Sequence, residues 1–65
     1  MKKYKIIRST QGYLLGTIFQ CSQLTIENLT TLLNIPNKVN KILEIERGLY
    51  RYQTVHYTLI IKEVN

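Results

Sequence analysis

Hydrophobic and polar residues alternate near the start of the chain, as they do in an extended strand. In the segment KYKIIRS, Tyr4, Ile6 and Arg8 share one face, and most of the residues favour β-structure. The following STQGY has turn chemistry, and the next segment, YLLGTIFQC, has the composition of a second strand. We therefore expect residues 3–20 to form an antiparallel hairpin.

The apolar spacing changes to three and four residues after this hairpin, which predicts a helix. The apolar positions are then Ile26, Leu29, Leu32 and Leu33, and they share one helical face. Thr25 is a suitable N-cap, because its hydroxyl can accept from a free backbone N–H of the first turn. Since a proline at position 36 biases the residue before it toward extended geometry, we expect the helix to end near Asn34.

The segment from Pro36 to Gly48 fits two patterns. As a helix, PNKVNKILEIERG would begin at its proline, and its glycine would follow the last turn. As a strand, it would place Lys41, Leu43 and Ile45 on one face. The helical spacing matches more positions, and several of the residues are good helix formers, so a helix over residues 37–47 is favoured over a strand.

The final stretch, LYRYQTVHYTLIIKEV, is rich in β-branched and aromatic residues. It predicts one long strand, or two strands with a bend near Gln53. Together the elements predict one α+β domain over residues 1–65. With a second helix the order is ββααβ, a three-stranded antiparallel sheet with the helices on one face, and the alternative is ββαββ, with four strands and one helix.

Charge is unevenly distributed along the chain, whose net charge is +5. Residues 1–23 contain lysine and arginine but no acidic residue, whereas the cations and acids of residues 24–48 balance. A basic excess favours an acidic partner, because neutralising phosphates releases their counterions. Solubility is the simpler explanation for the same excess.

The stretch TIENLTTLLNIPNKVNKIL, followed by RGLYRYQTVHYTLI, resembles the small helix-turn-helix modules of phage homing endonucleases, called NUMOD modules. In those modules a strand pair with a glycine and a GTF-like step precedes the helix, and GYLLGTIF is the corresponding stretch here. The opening LTIENLTTLL is also similar to that of phage and transposon excisionases. This resemblance implies that the second helix enters the major groove of DNA, with its early residues facing the bases.

Two sets of residues could contact nucleic acid. Those at the start of the second helix, whose amide and ammonium groups suit bases and phosphates, are Asn37, Lys38, Asn40 and Lys41. Those on the strands, which could follow the phosphate backbone, are Lys3, Lys5, Arg8 and Arg51. The leading hypothesis is a small non-enzymatic nucleic-acid-binding protein, with DNA as the favoured ligand and a phage or mobile element as its source. For each set, simple solvation of a charged surface is the plainer alternative.

The sequence offers little support for catalysis. His56 and Cys21 are the single histidine and the single cysteine, and the chain contains no aspartate. Two such ligands do not suffice for a structural or catalytic metal, and neither common glycine-rich phosphate loop is present. We therefore expect no enzyme, no metal and no cofactor.

Five tyrosines lie on the predicted strands and support an alternative function. Because tyrosine and arginine are common anchors of protein interfaces, the chain could be a phage-encoded inhibitor that binds a host protein through a tyrosine-rich sheet. Stacking on single-stranded nucleic acid and cross-strand packing are two further roles for these side chains. A strand over residues 38–46 would remove the recognition helix and favour the inhibitor.

The last strand has few charges, so it would either lie at a sheet edge or expose an apolar face. A homodimer would bury this face, and we expect its contacts to include Tyr57, Leu59 and Ile61. Either a nucleic acid or a host protein could bind such a dimer.

Compartment is inferred from three features of the sequence. No segment approaches the roughly 20 apolar residues needed to cross a bilayer. The N-terminus lacks the apolar run and cleavage site of a signal peptide, and the lone cysteine fits a reducing environment. We expect a cytoplasmic protein without a membrane partner.

Overall fold

The computed structural model describes residues 1–10, 12–34 and 41–64, with only the backbone at Tyr13. Within these ranges the α-helix is α1 (Ile26–Leu33), and a 3₁₀ turn spans Gly12–Leu14. The strands are β1 (Lys2–Ser9), β2 (Ile18–Cys21), β3 (Lys41–Glu46), β4 (Leu49–Gln53) and β5 (Thr58–Val64).

The five strands form one antiparallel sheet in the order β2-β1-β5-β4-β3. The predicted fold class is therefore wrong: both ββααβ and ββαββ have too few strands. The expected second helix is replaced over residues 41–46 by β3. The final stretch also divides into two strands, β4 and β5, which pair with each other.

The predicted hairpin of residues 3–20 forms, but its second strand is shorter than expected. β1 and β2 pair antiparallel, from Lys2 opposite Cys21 to Lys5 opposite Ile18. The chain enters β2 through Gly16, whose φ is 85° and whose N–H donates to the carbonyl of Ile6 at 2.8 Å. Glycine suits this position because a left-handed backbone carries no steric cost for it.

Helix α1 begins and ends where the sequence predicts. The hydroxyl of Thr25 accepts a hydrogen bond from the Asn28 N–H at 3.1 Å, which is the N-cap contact. Asn34 follows the last turn with a left-handed φ of 53°. Of the predicted apolar positions, Leu29 is fully buried, whereas Leu32 is 49% exposed and lies off the packed face.

Two different turns connect the last three strands. β3 and β4 are joined at Arg47 and Gly48, and the φ of 80° at Gly48 is again left-handed. β4 and β5 are joined by residues 54–57, where the hydroxyl of Thr54 accepts from the backbone N–H groups of His56 and Tyr57, each at 3.1 Å. The second turn contains neither glycine nor proline. The hydroxyl of Thr54 stabilises it instead by accepting from its backbone N–H groups.

The core lies on one face of the sheet, which we call the covered face because α1 and the 3₁₀ turn pack against it. The sheet supplies alternate residues to this core, and the helix and the turn add Leu29, Leu33 and Leu14. The buried sheet residues are Tyr4, Ile6, Phe19, Cys21, Tyr52, Leu59 and Ile61. No buried residue in the described part of the chain is charged, so apolar burial on this face is the main source of stability.

Candidate functional site

The opposite face of the sheet, which we call the open face, contains none of the buried residues of the described chain. Strand register assigns side chains to it, because residues paired across antiparallel strands point to the same side. Its charged members are Lys3, Lys5, Arg8, Lys41, Glu46, Arg51 and Lys62. Six of these seven residues are cations, and all seven are exposed.

The cations of the open face form rows across the strands. Lys5 on β1 lies directly opposite Lys62 on β5. In the next row Ile60 separates Arg8 from Arg51, since it pairs with both. Neighbouring strands are about 4.8 Å apart, so these positive charges lie close to one another.

Like charges in opposed positions destabilise a sheet, and nearby carboxylates do not relieve the repulsion here. Among the described residues, none of the six cations forms a salt bridge. The ion pair that the structure records joins Lys2 to Glu63 at 3.7 Å, on the covered side. Glu46 is the single acidic residue that the described register places on the open face. The face therefore presents concentrated positive charge that is able to meet an anion.

Apolar side chains lie between these cations. Ile18 is 57% exposed and Leu43 is 37% exposed, while Leu49, Ile60 and Val64 are half-buried. No tyrosine or phenylalanine with a described side chain lies on this face, since their register places them on the covered side or in turns. Within the described residues, the open face thus carries cations with aliphatic side chains between them and has no aromatic stacking surface.

Five of the eight predicted nucleic-acid contacts lie together on the open face: Lys3, Lys5, Arg8, Lys41 and Arg51. The other three, Asn37, Lys38 and Asn40, lie outside the described residues. Lys41 belongs to β3 rather than to a helix, so it is placed by the sheet.

Two features of this face differ from sequence expectation. Simple alternation predicts Arg8 beside Tyr4 and Ile6, but a bulge between Ile6 and Arg8 shifts it to the open side. Lys62 is not among the predicted contacts, although alternation with the buried Leu59 and Ile61 would place it correctly.

The described tyrosine side chains do not form an exposed surface. Tyr4 and Tyr52 are buried, and Tyr4 stacks on Phe19 with ring centroids 5.6 Å apart. Tyr50 meets Tyr4 edge to face at 6.2 Å, and Tyr57 is half-buried. Tyr4 and Tyr52 are therefore out of reach of a partner protein while the core is intact.

The residues expected at a dimer interface do not lie at a free edge. β5 is the central strand, paired with β1 on one side and β4 on the other. Leu59 and Ile61 are fully buried in the core of the single chain, and Tyr57 is half-buried against it. A second copy cannot reach Leu59 or Ile61 while the core is intact.

The two candidate catalytic side chains have unrelated environments. Cys21 is buried on the covered face, and burial raises the pKa of its thiol, so at neutral pH it is a protonated, weakly nucleophilic group. His56 is exposed in the turn between β4 and β5. No group of three or more metal-binding side chains occurs in the described ranges.

A polar cleft of about 400 Å³ opens beside the β3–β4 turn. It is lined by Lys2, Glu44, Arg47, Gly48, Tyr50 and Glu63. Its two cations balance its two carboxylates, so it offers no net charge to attract an ion. The open face is therefore the candidate binding surface.

No helix within the described residues is long and apolar enough to cross a membrane. No protein family, curated protein or solved structure matches this chain. The resemblance to helix-turn-helix modules therefore stays a prediction.

Proposed function

We propose that this protein binds nucleic acid through the open face of its sheet, mainly by contacts to the phosphate backbone. The supporting observation is the charge of that face, on which the described register places six cations and one carboxylate. Lysine and arginine on a solvent-exposed surface neutralise phosphates and release condensed counterions, which favours binding without reading sequence.

This surface replaces the one that the sequence suggests. A recognition helix over residues 37–47 is incompatible with strand β3 at residues 41–46. The alternative of a tyrosine-rich docking surface is weakened as well, because the described tyrosines pack in or against the core. The cations of the strands still share one surface, the open face, and that surface does not require a recognition helix.

The composition of the open face favours duplex backbone over stacked single strands. Proteins that bind single strands without sequence preference combine positive charge with aromatic side chains on which bases stack. The open face has the charge, but the described side chains around its cations are aliphatic or polar, such as Ile60 and Gln53, and none is aromatic. We expect binding to duplex DNA at least as strong as binding to an unstructured single strand of equal length.

A pair of charge-matched variants tests the proposal. Lys5→Gln with Lys62→Gln removes two opposed cations of the open face. Lys2→Gln with Arg47→Gln removes the same charge from the opposite side, where both residues line the polar cleft. Binding of each to a random duplex is measured by fluorescence anisotropy over a series of salt concentrations.

The open-face variant should bind more weakly, and its salt slope should fall by about one unit for each phosphate that is no longer neutralised. The cleft variant should keep most of the affinity and the salt slope. Equal weakening in both would show that net charge alone drives association, and absence of binding by the natural sequence at low salt would reject the proposal.

A second candidate is an inhibitor that binds an acidic host protein through the same face. The aliphatic residues between the cations favour it, since a purely phosphate-binding surface has no use for the exposed Ile18 and Leu43. Capture from nuclease-treated bacterial lysate would support it, provided that one stoichiometric protein is retained and Lys5→Gln with Lys62→Gln abolishes its retention.

A further inference from the structure

The two edges of the sheet differ in length and chemistry. β2 forms one edge with four residues, IFQC, and carries no charge. β3 forms the other with six residues, KILEIE, which include a cation and two carboxylates. Five of the six are exposed, and among them Ile45 is 52% exposed and Leu43 37% exposed. Short strands resist edge-to-edge pairing, whereas a longer strand with exposed apolar residues promotes it.

We propose that β3 pairs antiparallel with β3 of a second copy of this chain, around a twofold axis at Leu43. Twofold symmetry makes this edge self-complementary, so each contact occurs twice. With the axis at Leu43, that residue faces its own copy, and Ile42 faces Glu44 of the second copy. Lys41 of one copy then faces the bulge near the end of β3 in the other copy, where the register shifts between Glu44 and Glu46.

Charge complementarity supports this register. Lys41 and Glu46 lie on the same side of the sheet, since they pair with Gln53 and Leu49 on the open face. Within one chain they are five positions apart on a strand, about 16 Å, which is too far for an ion pair. Across the twofold axis, Lys41 of each copy comes within reach of Glu46 of the other. The single carboxylate of the described open face thereby gains a cationic partner.

The apolar content of β3 supports the same arrangement. Leu43 would cover its own copy across the axis instead of facing water, which favours association. Among the described residues β3 is paired on one side only, so the backbone groups along its outer side would gain hydrogen-bond partners in a continuous ten-stranded sheet. Because a six-residue strand pair buries less than the roughly 1,200 Å² of a standard interface, the dimer should be weak.

This arrangement explains how a homodimer could form while Leu59 and Ile61 remain in the core. It also places the two open faces side by side on one surface, because the axis runs perpendicular to the sheet. Pairing of this kind needs no nucleic acid, so self-association can be measured in its absence.

Sedimentation equilibrium on the natural sequence, Lys41→Glu and Glu46→Lys tests the pairing, from about 10 μM to about 1 mM protein. Each single substitution places like charges at both symmetry-related contacts, so self-association should weaken by roughly tenfold. An equimolar mixture of the two variants should restore the association, because every contact in the mixed dimer joins opposite charges. The double variant Lys41→Glu with Glu46→Lys should restore it too.

Both residues are exposed, so the substitutions should leave the fold intact, and circular dichroism spectra check this. A mass that stays at 7.7 kDa for the natural sequence throughout the concentration range would overturn the proposal. The proposal would also be overturned if the equimolar mixture associated no more strongly than either variant alone, since the register requires Lys41 of one copy to meet Glu46 of the other.

Discussion

The covered and open faces are built from alternate residues of the same strands, yet they have opposite effects on stability. On β5, Leu59 and Ile61 are fully buried, whereas Lys62, the next residue along the strand, is exposed on the other side. The covered face gains stability from apolar packing. The open face carries opposed cations, such as Lys5 and Lys62, that repel one another.

Because successive side chains of a strand point to opposite faces, a small sheet can place the residues that stabilise it on one face and the residues that bind on the other. The open face holds an arrangement of charge that opposes folding, and the packing of the covered face offsets it. Substitutions on the covered face should change the free energy of unfolding, whereas those on the open face should mainly change affinity.

The greatest change is expected at the centre of the covered face. Leu59→Ala should lower the free energy of unfolding by about 2–5 kcal/mol, because it leaves a cavity in a fully buried site. Ile60→Ala, one position away on the open face, should cost much less. Urea denaturation measures both, and a comparable decrease at Ile60 would contradict the division between the faces.

Alkaline pH should destabilise the covered face. Burial is the main cause that raises the pKa of Tyr4, Tyr52 and Cys21, and for Tyr52 the nearby Thr30 hydroxyl partly opposes it. The folded state therefore keeps protons that the unfolded chain releases above its own pKa values, roughly 8.5 for cysteine and 10 for tyrosine. Stability is full below these values and should fall as pH rises, by at most about 1.4 kcal/mol per pH unit for each group.

Urea denaturation between about pH 7.5 and pH 10.5 measures this decline. Cys21→Ala serves as the control, because it should remove the part of the decline that begins near the cysteine pKa. Stability that does not change across this range would show that the buried hydroxyls and thiol are not protected from solvent.

The helix that covers the core should weaken when its N-cap is removed. Thr25→Ala leaves the Asn28 N–H without its 3.1 Å acceptor and should cost about 1 kcal/mol. Thr31→Ala, at an exposed position inside α1, is the matched control and should have little effect. Thermal unfolding monitored by circular dichroism compares the two, and equal effects would mean that the cap contact contributes nothing.

A still smaller change, of opposite sign, is expected on the open face. Lys5→Glu replaces a like-charged pair with an opposite-charged pair across from Lys62, so it should stabilise the fold by about 0.2–1 kcal/mol. The same substitution should weaken nucleic-acid binding. Lys2→Glu should instead destabilise slightly, since it breaks the ion pair with Glu63. Urea denaturation compares the two variants. A Lys5→Glu variant that is less stable than the natural sequence would show that repulsion between the open-face cations does not destabilise the fold.

Local chemistry makes some elements predictable. The bounds of α1 follow from the Thr25 cap and from the apolar spacing that buries Leu29 and Leu33, both of which act within a few residues. The sequence favours a helix in place of β3 because the helical spacing matches more positions and several of the residues are good helix formers. Gly48 does not distinguish the two, since a helix end and a hairpin turn both suit a left-handed glycine. Pairing with β4, which is a tertiary contact, selects the strand over the helix.

The candidate site is predictable where alternation is regular. Lys3 and Lys5 follow directly from the burial of Tyr4 and Ile6. The bulge that moves Arg8 leaves no local mark in KYKIIRS, because it arises from the register with β5. For the last stretch the sequence leaves open one long strand or two strands with a bend near Gln53, because the turn at Thr54 depends on a hydroxyl rather than on glycine or proline.

The pairing of β1 with β5 has a consequence for how the chain folds. β1 and β2 are neighbours in sequence, as are β3, β4 and β5, so each group can assemble through short loops. Ile6 opposite Ile61, in contrast, joins segments from nearly opposite ends of the chain. Closing so long a loop costs entropy before any contact offsets it, and non-local pairing slows folding. The docking of these two groups should therefore limit the folding rate, and the hydrophobic core should be completed only in that step.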